Sequence, residues 1–180
     1  MDIIFPRTPW PEWFPNVITH RDLKIRDQHP NFPLAKRGNV GAALALARDL
    51  LNDESITKIE RLLDGRKPFV VPVAAFEIGG FNAIPDAMAQ EISDRLDLTP
   101  LASVIVQANK VVHTKSDGWH RLATPPGFIG DVVPEASYFL VDDHVGFGGT
   151  FANLRGHIET NGGHVFGMTA LTETSEAHQI

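Results

Sequence analysis

Residues 138–151 read Tyr138-Phe139-Leu140-Val141-Asp142-Asp143-His144-Val145-Gly146-Phe147-Gly148-Gly149-Thr150-Phe151. Four apolar residues run into two adjacent acids and then into glycines and a threonine. This is the pattern of a short buried strand that leaves the sheet through a tight turn and restarts as a helix. The same punctuation recurs on either side. KPFVVPVAAF, ending before Gly79-Gly80, predicts a strand over 69–73, and Asn82-Ala83-Ile84-Pro85 opens the helical run AMAQEISDRL with its proline in the first turn. ASVIVQ, ending at Gln107, reads as a second strand and YFLV as a third. GTFANLRGHIETNG reads as a helix stopped by Asn161-Gly162, and HVFGMTAL as a fourth strand. Strand and helix alternate throughout, which predicts an α/β fold: a mostly parallel sheet with helices on both faces.

The chain before this core is of another kind. Residues 1 to about 37 hold most of the tryptophan and many of the prolines, as in TPWPEWFP and QHPNFP, and read as an irregular arm whose aromatics fasten it to the body. VGAALALARDLL then predicts a helix with Val40, Leu44, Ala47 and Leu51 on one face, and SITKIERLL predicts another with Ser55 as N-cap, Lys58 and Arg61 on the wet side and Asp64-Gly65 closing it. The expected division is residues 1–66 as arm and helices packing on the core, and 67–180 as the core, together one structural domain. The final TETSEAHQI reads as a capped helix just beginning at Ser175 and Glu176, so the sequence is expected to be a piece of something longer.

With 180 residues the chain is long enough to bury a core without covalent staples. It has no cysteine, which removes disulfides, thiolate zinc and a cysteine nucleophile, and which fits a cytoplasmic location. The start, MDIIFPRTPWPEWF, lacks the basic and apolar regions of a secretory signal, and no apolar run approaches a bilayer span, so neither leader nor membrane is expected. A net charge of −6 argues against nucleic acid as a partner. The eight histidines show no HExxH spacing, so a catalytic zinc is not expected.

In an open parallel sheet ligands sit beyond the carboxyl ends of the strands, which is where Asp142 and Asp143 are expected. Two carboxylates there can accept from vicinal hydroxyls or help to hold magnesium, although side chains of adjacent residues on a strand diverge. Gly146, Gly148 and Gly149 permit close backbone approach, and Thr150 opens a helix whose unpaired N–H groups suit an anion. Acids for a diol and amides for a phosphate describe a sugar phosphate. The polar stretch 108–136, with Lys110, His113, Lys115, Asp117, His120 and Arg121, is too long for an ordinary connection and reads either as a functional lid or as a solvated excursion.

VDDHVGFGGTF resembles the phosphoribosyl-pyrophosphate (PRPP) signature of type I phosphoribosyltransferases, over roughly residues 138–155, and the unit order of 69–171 is similar too. The resemblance implies a magnesium-dependent pentosyltransferase that passes the phosphoribosyl group of PRPP to a nitrogenous acceptor and releases pyrophosphate. It implies Asp142 and Asp143 as the catalytic acids on the ribose, directly or through Mg2+, and Gly146, Phe147, Gly148, Gly149 and Thr150 around the 5′-phosphate. By position it also implies a pyrophosphate loop with Ala75, Phe76 and Glu77, and a basic flexible loop that supplies Lys110 and Arg121. A homodimer is carried as the oligomeric expectation.

Two positions depart from the family pattern. Gly146 stands where purine-using members commonly carry an acid, and Phe147 stands where many carry a small hydroxyl. These keep open an alternative, a noncatalytic PRPP- or nucleotide-binding regulatory protein of the same fold. Phe147 is expected to plug its loop by packing rather than to stack on an acceptor. His144 is expected to be a structural hydrogen-bonding residue rather than a proton carrier. A phosphorelay receiver, which also places acids at strand ends, predicts an early acid pair, whereas here the pair comes late and is followed by glycines.

Overall fold

The structure is a computed structural model in which residues 8–77, 80–101, 104–107 and 127–174 are described. In chain order the elements are β1 (Ile18–Thr19), α1 (Leu23–Asp27), α2 (Phe32–Ala35), α3 (Val40–Leu50), α4 (Asp53–Leu63), β2 (Phe69–Pro72) and β3 (Phe76–Glu77). They continue with β4 (Gly80–Phe81), α5 (Ile84–Leu96), β5 (Thr99–Pro100), β6 (Val106–Gln107), β7 (Phe128–Ile129), β8 (Ser137–Val145), α6 (Gly149–Thr160) and β9 (His164–Glu173). Five strands form one sheet in the order β1-β9-β8-β2-β5, and every pairing in it is parallel. The expected α/β architecture is therefore present.

Alternation along the strands sends side chains to two cores. Val70, Phe139, Val141 and Leu171 pack with α3, α4 and α5 on one face. Val71, Tyr138, Leu140, Met168 and Ala170 pack with Phe151, Leu154 and Ile158 of α6 on the other. The N-terminal arm joins the second core as its composition predicts. Trp10 and Phe14 lie with ring centroids 4.8 Å apart, the Arg155 guanidinium stands 5.2 Å from the first ring and 5.1 Å from the second, and its Nη1 donates to the Pro9 carbonyl at 2.9 Å.

Several local expectations are corrected. The buried face of α3 is Ala42, Ala43, Leu46, Ala47 and Leu50, while Val40 is 64% exposed, so the helix is rotated from the face predicted for it. The N-cap of α4 is Asn52, whose side chain accepts from the Ser55 amide at 2.7 Å. Ser55 is inside the first turn, and its hydroxyl donates instead to the Thr19 carbonyl at 2.6 Å. The sheet strand that follows β2 in the chain is β5, whereas β6 pairs antiparallel with β7 and meets the chain just beyond β2 through a bridge from Val106 to Ala74. The third strand is longer than YFLV: β8 continues through Asp142, Asp143 and His144, because β9 keeps pairing with it as far as Glu173.

Candidate functional site

The strand order reverses direction between β2 and β8. The chain moves outward to β5 on one side and to β9 on the other, so the crevice at the carboxyl ends of β2 and β8 is the topological switch point where such sheets hold ligands. Both expected motifs leave the sheet at this crevice. Residues 73–77 follow β2, and 146–150 follow β8.

Asp142 and Asp143 are both buried, at 8% and 6% exposure, which is rare for acids without partners. The alternation that sends Phe139 and Val141 toward α3 and α5 sends Asp143 to the same face, and there it meets a cation. The Lys36 ammonium, immediately after α2, lies 2.9 Å from Asp143 Oδ2. By the same alternation Asp142 is on the face of α6, and its Oδ1 accepts from the Asp143 backbone amide at 2.7 Å. Burial, and then the negative charge of Asp143, hold the Asp142 carboxyl well above its ordinary range. Burial also works against ionisation of Asp143, but the Lys36 ammonium and the hydrogen bonds from Lys36 and Asp142 overcome it and hold that carboxyl below its ordinary value. The two acids are thus unequal: Asp143 is the more acidic and pairs with Lys36, and Asp142 is the more reluctant to ionise.

Behind the acids is a tight polar network. The Thr172 hydroxyl on β9 donates to the Asp143 carbonyl at 3.2 Å and accepts from Arg26 Nη1 at 3.1 Å, and His144 Nδ1 lies 3.0 Å from the same oxygen. With the hydroxyl proton spent on Asp143, His144 must be the donor at Nδ1. Burial, and next the nearby Arg26, lower its pKa. His144 has the structural hydrogen bond expected of it. Lys36, Arg26 and Thr172 were not foreseen. The only trace of Lys36 in the sequence is a basic pair before Gly38, which says nothing of a residue 107 positions away.

After β8 the chain turns through Gly146 and Phe147 to Gly148, the N-cap of α6, with φ of +71°. A side chain there would be strained, so glycine is what allows the turn. The first turn of α6, which begins where the chain leaves the carboxyl end of β8, has no side-chain cap for its N–H groups. A Cβ added at Gly146 or Gly149 would meet no described atom within 4 Å. Phe147 is 72% exposed, so among the described residues it does not plug the loop.

Ala75 lies just beyond β2, and Phe76 and Glu77 form β3, which pairs antiparallel with β4. Among the described residues this places a hairpin beside the acids. Lys110 and Arg121, with Lys115, His113 and His120, lie outside the described residues, as does the helix start expected at Ser175.

Carboxylate oxygens are the right donors for Mg2+, which commonly binds through one or two carboxylates plus substrate phosphates. Here one oxygen of each acid is already engaged, and no group of three or more His, Cys, Asp or Glu that could hold a metal occurs among the described residues. The acids fit an ion that shares its ligands with a phosphate. They do not fit a resident ion with an all-protein cage.

No family model matches the chain. It is 42% identical to the protein TraN of Escherichia coli over 166 residues, which cover 92% of this chain and 37% of that protein. It is 40% identical to an uncharacterised protein of Haemophilus influenzae over 153 residues, covering 84% of this chain and 34% of that one. The chain thus spans about a third of the length of these curated relatives. Among solved structures it is similar to the adenine phosphoribosyltransferase of Rhodothermus marinus, at 20% identity and TM-score 0.42, over 70% of this chain and 71% of that one. It is also similar to the adenine phosphoribosyltransferase of Leishmania tarentolae, at 14% identity and TM-score 0.42, over 82% and 76%. The UMP synthase of Leishmania donovani is similar at 14% identity and TM-score 0.41, over 73% of this chain and 22% of that one. No helix among the described residues is long and apolar enough to cross a membrane.

Proposed function

We propose that this chain binds the ribose 5-phosphate portion of PRPP and transfers the phosphoribosyl group to a nitrogenous acceptor. The observation that carries the reading is the placement, at one switch-point crevice, of a buried acid pair and the uncapped N-terminus of α6. A ribose phosphate needs acceptors for its hydroxyls and donors for its phosphate, and this crevice offers both.

In the proposed reaction the bond between the anomeric carbon and the pyrophosphate oxygen breaks, a carbon–nitrogen bond forms, and the acceptor nitrogen loses a proton. Asp143, ionised, and Asp142 would hold the ribose hydroxyls. The amides of Gly148, Gly149 and Thr150 would hold the 5′-phosphate, and the 73–77 segment would line the pyrophosphate side. A magnesium ion shared between the acids and the substrate would neutralise charge on the departing pyrophosphate. The protein's own contribution is alignment and exclusion of water, with no covalent intermediate on a side chain.

Titration of PRPP with Mg2+ into wild type and the Asp142→Asn/Asp143→Asn double variant tests the site. Binding by wild type and its loss in the variant are expected, and equal binding by both would remove the assignment. Pyrophosphate release with a panel of nitrogenous acceptors then tests turnover. Two observations support a second reading, a noncatalytic PRPP or nucleotide binder: Asp143 is already balanced by Lys36, and Phe147 stands out into solvent. Binding without turnover on any acceptor would favour it.

A further inference from the structure

The acid pair is served by a cation that lies outside the loop motif. Lys36 directly follows α2, with its amide bonded to the Phe32 carbonyl at 3.0 Å, and the turn it belongs to is wedged against the chain leaving β4. The Ala83 amide donates to the Ala35 carbonyl at 3.2 Å, and a Cβ added at Gly38 would stand 2.9 Å from the Phe81 carbonyl oxygen. Lys36 is therefore anchored beside the hairpin that follows β2 while its ammonium reaches the acids of β8, so it joins the two walls of the crevice. The ion pair is lopsided in burial, with the Lys36 side chain 31% exposed and that of Asp143 8%. The cation is thus the more exposed partner of the pair, and it already occupies the carboxylate oxygen that an incoming cation would need.

We propose that Lys36 is the resident counter-ion of the acid pair and competes with a divalent cation for Asp143, so that the pocket takes the metal together with the sugar phosphate rather than ahead of it. This rests on the sugar-phosphate reading of the crevice. The physical reason is twofold. An incoming ion must displace the ammonium from Asp143 Oδ2, and it then faces that ammonium as a like charge held nearby by the turn. Arg26, on the β9 side of the same strand end, adds to the repulsion. A sugar phosphate changes the balance, because its anionic oxygens offer ligands to the metal and a new partner to Lys36. Lys36 thus acts as a positioning residue, setting the order in which the pocket fills.

The test uses Mn2+ alone as a paramagnetic probe, with free Mn2+ read by electron paramagnetic resonance, on the full chain. Wild type and Lys36→Arg should bind it weakly. Lys36→Met and Lys36→Gln should each bind about tenfold more tightly or better, as expected when a like charge is removed from a half-buried site. The Lys36→Met/Asp143→Asn double variant should lose that gain. Mn2+ binding by both Lys36→Met and Lys36→Gln no tighter than by wild type would overturn the proposal. A measurement on wild type needs no variant: the Lys36 Nζ resonance should stay in place with Mg2+ alone and move when Mg2+ and PRPP are added together. Movement with Mg2+ alone at low concentration would also overturn it. Ribose 5-phosphate titrated in EDTA tests the pocket separately. Its failure to bind wild type would remove the sugar-phosphate reading and leave the Mn2+ comparison to judge the counter-ion.

Discussion

Acidification should loosen this fold through one residue, His20, which is 5% exposed and lies where the chain leaves β1. Its Nε2 is 3.1 Å from Thr169 Oγ1, and the Thr169 hydroxyl spends its proton on the Ile18 carbonyl at 2.6 Å, so the ring must donate at Nε2. Its Nδ1 accepts from the Asn52 amide at 3.3 Å, and the Asn52 side chain donates to the His20 carbonyl. Both ring nitrogens are used by the neutral form, and a second proton would have to break the Asn52 contact. Burial, then the charges of Arg21 and Arg95, lower the pKa from 6.5 to about 3. The sign follows directly. Between these values the unfolded chain binds a proton that the folded chain refuses, so the His20 contribution is complete above the unfolded pKa and falls as the pH falls toward 3. Going from about pH 7.5 to about pH 5 crosses roughly 1.5 pH units below the unfolded pKa, which costs about 2 kcal/mol. Urea unfolding of wild type and His20→Gln at both pH values is the assay. Glutamine can still donate to Thr169 but does not titrate, and the remaining groups are shared by the two proteins. Wild type should lose about 2 kcal/mol more than the variant on acidification. Equal losses within about 0.5 kcal/mol, or an NMR midpoint for His20 near that of a free imidazole, would refute the reasoning.

The two acids should respond differently to neutral isosteres. Asp142→Asn should change stability by under about 1 kcal/mol because burial and the neighbouring Asp143 already disfavour its ionised form, while Asp143→Asn should cost about 1–3 kcal/mol by leaving the Lys36 ammonium without that partner, both read by urea unfolding. Gly148→Ala should cost about 1 kcal/mol or more through its positive φ and should weaken ribose 5-phosphate binding in calorimetry, since the same residue sets the start of α6. Phe147→Ala should leave the unfolding midpoint within about 0.5 kcal/mol of wild type, as an exposed loop-tip side chain predicts. Arg155→Ala should cost about 2–4 kcal/mol and shift tryptophan emission to longer wavelength, because the guanidinium holds Pro9 and both rings of the arm and is itself 4% exposed.

What could be read from the sequence is what depends on neighbours along the chain. Valine-rich runs ending in glycine, a proline in the first turn of α5 and Asn161-Gly162 after α6 mark elements by local rules, and those elements stand where expected. The misplaced details depend on partners far along the chain. Asn52 and Ser55 are both good caps, and the choice between them is settled by the Thr19 carbonyl, which takes the serine hydroxyl. The end of β8 is set by β9, whose Thr172 opposes His144 and whose Glu173 opposes Val145. Lys36 had no local signal because its role is fixed by the wedge between α2 and the chain leaving β4. Phe147 misled because an aromatic inside a glycine turn reads as a plug, whereas among the described residues its side chain is left exposed.

The continuation of β8 through the acids also explains why two adjacent carboxylates stand there. On an extended strand neighbours leave the backbone toward opposite sides, so each acid starts toward a different layer of the fold. At this strand end the two carboxyls still stay close enough to hydrogen-bond to each other. Asp143 falls on the side of the helices that carry Lys36 and pairs with it there, while Asp142 falls on the side of α6, whose N-terminus has no side-chain cap. Adjacency thus serves to make the acids unequal: one strand end delivers a more acidic carboxyl paired with Lys36 and a less acidic one to the same crevice. Two acids separated by one residue would share a face, compete for Lys36 and leave the α6 side without a carboxyl. A Val141→Asp/Asp142→Val exchange, which puts both acids on the Lys36 side, should therefore abolish ribose 5-phosphate binding even though the number of acids is unchanged. Retained binding in a variant whose circular dichroism matches wild type would show that the count of acids, not their division between the two faces, is what the pocket uses.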